Sequence, residues 1–315
     1  MKKLPKIALG TWSWGTGFAG GDTVFGNHLS DSQMAEIFST AMQKGLNLWD
    51  TAAVYGMGSS ETALGKLVRQ YPREDIILST KFTPQIADEK SAEPVGAMLN
   101  TSLERLGVED IDIYWIHNPA DVERWTLGLI PLLQTGKVKQ VGVSNHSLKQ
   151  IERANELLEQ AGFSLSAVQN HYSLLYRSSE DAGILDYCHQ NNITFFSYMV
   201  LEQGALSGHY NSQNPMPAGS ERAERYNSVL PQLEKLTAAM KVMGGKRNAS
   251  VAQVAIAWAI AKGTLPIIGA TKVHHVQDAA QAAEIQLDAD EMVTLERLAK
   301  ATGVDTRGGW EKPMI

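Results

Sequence analysis

The 315-residue chain has a single cysteine, Cys188. One thiol can form neither an internal disulfide nor a cysteine-rich zinc site. A buried apolar role on a helix is the expectation for it, and the lone cysteine fits a reducing compartment. Long apolar runs are also missing. The longest, residues 254–261, falls well short of the roughly 20 residues a membrane span needs, and no apolar h-region follows Lys2 and Lys3 before Pro5 and Lys6 interrupt. Excess positive charge is absent too. Lys and Arg number 28 against 34 Asp and Glu, a net charge of −6, which argues against a nucleic-acid or anionic-membrane surface. The reading is therefore a cytoplasmic protein with neither partner, whose 43% hydrophobic and 20% charged content suits a packed core.

What is present is a repeated change of period. Short apolar, strand-like runs at 7–9, 46–50, 76–81, 111–117, 138–144, 167–170, 193–198 and 265–268 alternate with helical stripes at 30–44, 59–71, 92–106, 122–134, 148–158, 178–191, 250–262 and 273–283. Alternation of this kind implies parallel pairing through helical crossovers. Eight units without a linker predict one α/β domain over 1–315, a closed (β/α)8 TIM barrel. The surplus length falls in an irregular stretch at 208–225, after strand seven, and in an extra C-terminal helix near 288–302. Residues 303–315 are read either as a loose end or as a flap over the site.

One motif misleads. Gly15, Gly17 and Gly20 match GxGxxG, and the second strand ends in Asp50. A dinucleotide fingerprint needs its glycines to open the crossover helix directly. Here about ten residues separate them from the helical stripe at 30–44, so the segment is read as a loop beside a pocket.

In a barrel, chemistry comes from the C-terminal ends of the strands. Asp50, Lys81 and His117 end strands two, three and four, and Tyr55 lies in the loop after Asp50. A tyrosine titrating near 10 is a poor acid at neutral pH, but a neighbouring ammonium favours its phenolate and lowers that value. Asp50 would hold Lys81 in place and charged, and His117 could hydrogen-bond a substrate oxygen. Together these groups can protonate a carbonyl oxygen as it gains charge. No metal-ligand spacing appears, so no metal is expected. A hydride has to come from a nicotinamide, since no side chain supplies one.

At these positions the sequence resembles the aldo-keto reductase family over about residues 5–300, through LGTWSWG, LNLWDTAAVYGMGSSETALGKLV, ILSTKF, SLERLGVEDIDIYWIH, GKVKQVGVSNHS, VQNHYSLLYR and YMVLEQGALSGHY. The resemblance implies NADPH- or NADH-dependent reduction of aldehydes and ketones. Tyr55 matches the general acid, Lys81 and Asp50 the pair that tunes it, and His117 the residue that orients the carbonyl. For the cofactor it implies Gly10, Thr11 and Trp12 in the first loop with Asp50 beside it. Ser144, Asn145 and Gln169 match the carboxamide holders, and Tyr198 the ring that stacks on nicotinamide. Leu201, Gln203, Gly204 and Leu206 fall in the pyrophosphate loop. Gly269, Thr271, Lys272, His275 and Asp278 fall in the phosphate and adenine segment. Lys272 favours NADPH over NADH, while His275 and Ala279 depart from the usual Arg or Gln and Asn. Trp12, Trp14, Tyr55 and His117 are the expected substrate pocket, for a small carbonyl compound, alcohol or sugar. A monomer or small homo-oligomer is expected. Two readings compete: a Schiff-base lyase with Lys81 as nucleophile, and a non-enzymatic NADP-binding regulatory barrel.

Overall fold

A computed structural model describes residues 2–314. Met1 and Ile315, the ends of the expected domain and tail, lie outside the described residues. All eight strands are present: β1 (Ala8–Gly10), β2 (Leu48–Asp50), β3 (Ile77–Phe82), β4 (Ile111–Ile116), β5 (Val138–Ser144), β6 (Ala167–His171), β7 (Thr194–Tyr198) and β8 (Leu265–Gly269). Each pairs in parallel with its neighbours in sequence order, and β1 closes on β8, giving a closed barrel.

Strand alternation builds two cores. Ala8, Leu48, Ile77, Ile113, Trp115, Ala167, Phe196 and Leu265 fill the barrel interior. The intervening residues, among them Leu9, Trp49, Leu78, Tyr114, Val143 and Val168, face outward onto the helices. The interior is tightly fitted at Gly142, where a Cβ would come within 2.4 Å of the Trp115 ring. The apolar run at 254–261 lies in the helix Val251–Ala261. It is buried because the helices Leu230–Gly245 and Val273–Ala282 pack against it, as the all-apolar composition requires.

Helix boundaries differ from the sequence reading in particular places. Ser30 caps Asp31–Gln43 in a capping box with Gln33, and Gly107, at φ 69°, ends Pro94–Leu106. The stripe at 122–134 breaks into Val122–Leu127 and Ile130–Gln134, and that at 178–191 breaks at Gly183, whose φ is 80°. The irregular stretch after β7 contains a short helix, Glu221–Tyr226. A 16-residue helix that the reading passes over, Leu230–Gly245, follows it. The GxGxxG segment is followed at once by one helical turn, Gly21–Val24, rather than by ten irregular residues. A Cβ on Gly20 or Gly21 would meet Thr16 or Ser13 backbone atoms within 2.8 Å, so these two glycines serve close packing of the loop on itself.

After the helix Ala289–Ala301 the tail folds back over the C-terminal end of the barrel. Met314 is buried, and its carbonyl accepts from the Leu148 N–H at 3.1 Å.

Candidate active site

The same alternation that buries Leu48, Ile77 and Ile113 aims Asp50, Lys81 and His117 inward at the top of the barrel, two or four positions further along each strand. Lys81 is fully buried. Its ammonium donates to Asp50 Oδ2 at 2.5 Å and to the Thr51 carbonyl at 2.8 Å, and it lies 5.2 Å from the centroid of the Tyr55 ring. Asp50 Oδ1 accepts from Ser79 at 2.7 Å and from Gln169 Nε2 at 3.2 Å. Ser79 in turn accepts from the Trp115 indole at 2.5 Å. Every oxygen of the Asp50 carboxylate is thus committed, and its orientation is fixed from below.

Tyr55 opens a short 3-10 turn, Tyr55–Gly58, in which Gly56, Met57 and Gly58 have φ of 57°, 49° and 94°. This costly backbone is pinned from behind. Buried Glu61 accepts from Thr80 at 2.6 Å and from Arg105 at 3.0 Å, and Ser60 donates to the Thr11 carbonyl at 2.7 Å. The Tyr55 ring stacks on Trp12 at 5.5 Å and meets His117 edge-on at 5.8 Å.

Electrostatics corrects one expectation. Burial pulls the Lys81 ammonium down, but the charge of Asp50, with Tyr55 adding to it, outweighs that and holds Lys81 above its ordinary value. Burial also raises the Tyr55 phenol, and Asp50 adds to the rise; Lys81 pulls it down without cancelling them. Lys81 therefore acts in the expected direction, yet Tyr55 ends above its ordinary value and keeps its proton. His117 is lowered to about 3 by burial and then by Lys81. It is a neutral imidazole, its Nδ1 2.8 Å from the Thr83 hydroxyl.

Asn145, Gln169 and Tyr198, among the residues expected at the cofactor, adjoin this centre. Asn145, at φ 61°, donates to the His117 carbonyl at 2.9 Å and accepts from the Tyr198 hydroxyl at 2.5 Å. Ser144 and Gln169 are buried beside it. One face of Tyr198 is covered by the His171 ring, 5.6 Å away. In the next loop Met199, Glu202, Gln203 and Gly204 all have positive φ, and the Gln203 Oε1 is buried without a hydrogen-bond partner. Lys272 is exposed and unpaired among the described residues, close to His274 and His275. Burial, then His274 and Lys272, lower His275 to about 4. The unpaired cation of Lys272, beyond the strained loop, fits the phosphate of a dinucleotide. The amide side chains of Asn145 and Gln169 fit its carboxamide.

Several expected residues are placed otherwise. Trp14 does not reach the pocket. It is buried, 5.4 Å from Trp49, with its indole donating to the Ala270 carbonyl at 2.9 Å. Leu206 is fully buried in the outer core. Thr11 is also fully buried, tied to Ser60 at 2.9 Å. Four residues at the mouth escaped the sequence reading as site groups: His171, Glu202, Trp310 and Glu311. The parity of β6 could have found His171, which shares the inward face with Ala167 and Gln169. Nothing in the sequence pairs it with residues 31 and 140 positions away.

Known proteins resemble this chain over most of its length. The profile of the aldo/keto reductase family matches residues 6–300. Chloroplastic pyridoxal reductase of Arabidopsis thaliana is 33% identical over 310 residues, covering 93% of this chain and 83% of that one. The aldo-keto reductase yakc (NADP(+)) of Schizosaccharomyces pombe is 30% identical, covering 87% and 84%. The solved glycerol dehydrogenase of Gluconobacter oxydans superposes with a TM-score of 0.76 at 26% identity, covering 94% and 91%.

Proposed function

Because the chain belongs to the aldo/keto reductase family, we propose that it is an NADPH-dependent carbonyl reductase working through Tyr55, Lys81, Asp50 and His117. The nicotinamide, when bound, supplies the hydride for the carbonyl carbon. This chain's own residues manage the oxygen. Tyr55 holds its proton at neutral pH and hands it to the developing alkoxide. Lys81, kept charged by Asp50, stabilises the phenolate left behind. Neutral His117, its Nδ1 engaged by Thr83, presents Nε2 to the same oxygen. Ser144, Asn145 and Gln169 would hold the carboxamide, Tyr198 the ring, the loop at Gln203 the pyrophosphate, and Lys272 the 2′-phosphate.

The observation that carries this reading is the buried Lys81–Asp50 pair set 5.2 Å under the Tyr55 ring. The pair also disfavours Schiff-base chemistry, since a lysine held charged is a poor nucleophile. The stacked Trp12 and Tyr55 rings suit a flat aromatic aldehyde, and the likeness to a pyridoxal reductase makes pyridoxal the first candidate to assay. The test is NADPH oxidation with pyridoxal and a nitrobenzaldehyde. Tyr55→Phe should lower kcat by about 100- to 10,000-fold while the cofactor still binds. Full activity in Tyr55→Phe would remove the acid from that residue.

A further inference from the structure

The tail's attachment is more elaborate than a covering loop requires. His171, fully buried, places each ring nitrogen against a different buried carboxylate: Nε2 at 2.8 Å from Glu202 and Nδ1 at 2.7 Å from Glu311 of the tail. Glu202 also accepts from Ser173, from Thr306 of the tail at 2.9 Å and from Tyr226 at 2.7 Å. Glu311 accepts from the Gly308 N–H and lies 2.8 Å from the Tyr198 hydroxyl, whose one proton it shares with Asn145. This arrangement is a clamp rather than a metal site. The two carboxylates lie on opposite sides of the ring and take both of its nitrogens, and no metal-holding cluster occurs among the described residues.

Next to Glu311 stands Trp310. It reaches across the mouth, its indole N–H 3.3 Å from the Tyr198 hydroxyl and its ring edge-on to Trp12 at 6.4 Å. Arg225 lies over its ring at 5.4 Å and also donates to the Thr306 carbonyl. Trp310 stays 45% exposed, and the other exposed large apolar side chains at the mouth are Phe18 and Met57, in the loops after β1 and β2. An indole held at both ends yet open on its surface is a wall awaiting an apolar partner.

We infer that His171 is a positioning residue for substrate selection: clamped between Glu202 and Glu311, it fixes the tail so that Trp310 forms the outer wall of the carbonyl pocket. The inference rests on the reductase reading for what enters the pocket, but the clamp itself stands on its own contacts. The charged and titratable groups facing His171 are Glu202 from the turn after β7, Glu311 from the tail, Tyr198 from β7, and Tyr176, whose ring stacks on it at 4.3 Å. With two carboxylates against one imidazole, the clamp is strongest when the ring is protonated.

The test uses the full-length protein, with Trp310→Ala and Glu311→Gln as variants. Trp310→Ala should raise KM for aromatic aldehydes about 10-fold or more, the scale of one lost pocket contact. KM for a short aliphatic aldehyde, kcat and the NADPH dissociation constant should stay within about twofold. Glu311→Gln keeps the shape and removes the charge. It should reproduce the KM pattern with Trp310 intact, and let carboxypeptidase digest the tail about 10-fold faster without cofactor or substrate. Digestion of the wild type should approach that rate as pH is raised past the titration of His171. An unmoved aromatic KM in Trp310→Ala, or an unmoved digestion rate in Glu311→Gln, overturns the inference. A wild type that reduces no carbonyl with NADPH overturns the reductase reading instead, and the digestion arm still decides the clamp.

Discussion

At the scale of single residues, burial and neighbouring charge compete, and the winner differs from group to group. In Tyr55 and His117 burial sets the direction, whereas in Lys81 the charge of Asp50 outweighs it. His171 follows Lys81: burial pulls it down, but Glu202, joined by Glu311, raises it to about 9. A histidine raised in the folded state adds stability that is fully present below its unfolded value near 6.5 and is lost as pH climbs through about 9. The shift corresponds to roughly 3 kcal/mol. Urea midpoints measured between pH 6 and 10 should therefore fall across that window, and Glu311→Gln should flatten the fall. An equally steep fall in the variant would mean that another group causes it. His117 imposes a different expectation. Lowered to about 3, it has no titration near 6.5 to contribute, so kcat/KM should show no acid limb there. Asp50, Lys81 and His117 were legible as strand-end residues because a polar residue there stops an apolar run, whereas Tyr55 lies in the loop five residues past Asp50. Their pKa directions were not legible, since composition says nothing of how deep a phenol sits. Trp14 misled for a related reason: a loop tryptophan next to a strand can turn either to the mouth or to the core, and the Ala270 carbonyl that fixes it is 256 positions away.

At the scale of elements, period carried the strands and failed at helix joints. All eight strands follow from apolar runs of fixed parity. The breaks at Gly128 and Gly183 do not show in a stripe of apolar spacing. Leu230–Gly245 carries Leu233, Leu236, Met240 and Met243 on one buried face, but the Asn- and Pro-rich stretch before it masks where the helix begins. The proposed 2′-phosphate contact lies in the loop after β8 and the first turn of Val273–Ala282. Lys272 is the unpaired cation there, and His275 is held neutral, lowered to about 4. Lys272→Ala should weaken NADPH binding about 10- to 100-fold, the worth of one charge-assisted contact, and leave NADH within about twofold. His275→Arg, which adds a permanently charged, bidentate donor, should act in the other direction. Fluorescence titration with both cofactors checks the pair, and equal weakening for NADPH and NADH would move the 2′-phosphate away from Lys272.

At the scale of the whole molecule, closure makes the chain one thermodynamic unit. β1 pairs with β8, so the two ends of the fold share a strand–strand seam. The tail then returns from the last helix to touch Leu148 in the middle of the chain. Opening any one of β2 to β7 would disturb the ring that holds the site, because Asp50, Lys81, His117, Ser144, Gln169 and Tyr198 come from six different strands or strand ends. A ligand contacting several of them stabilises all of them. NADPH at 100 times its dissociation constant should add about 2.7 kcal/mol to the stability of the entire barrel. Calorimetry should then show a single transition that moves upward as a whole, by a few degrees for a chain of this size. NADH at the same absolute concentration should move it less if Lys272 discriminates. The net charge of −6 sharpens the case. An acidic surface gives a polyanionic cofactor no general attraction, so the shift should shrink in Lys272→Ala far more than in a lysine variant elsewhere, such as Lys241→Ala. Two separable transitions, or a cofactor shift confined to one of them, would contradict a single cooperative barrel.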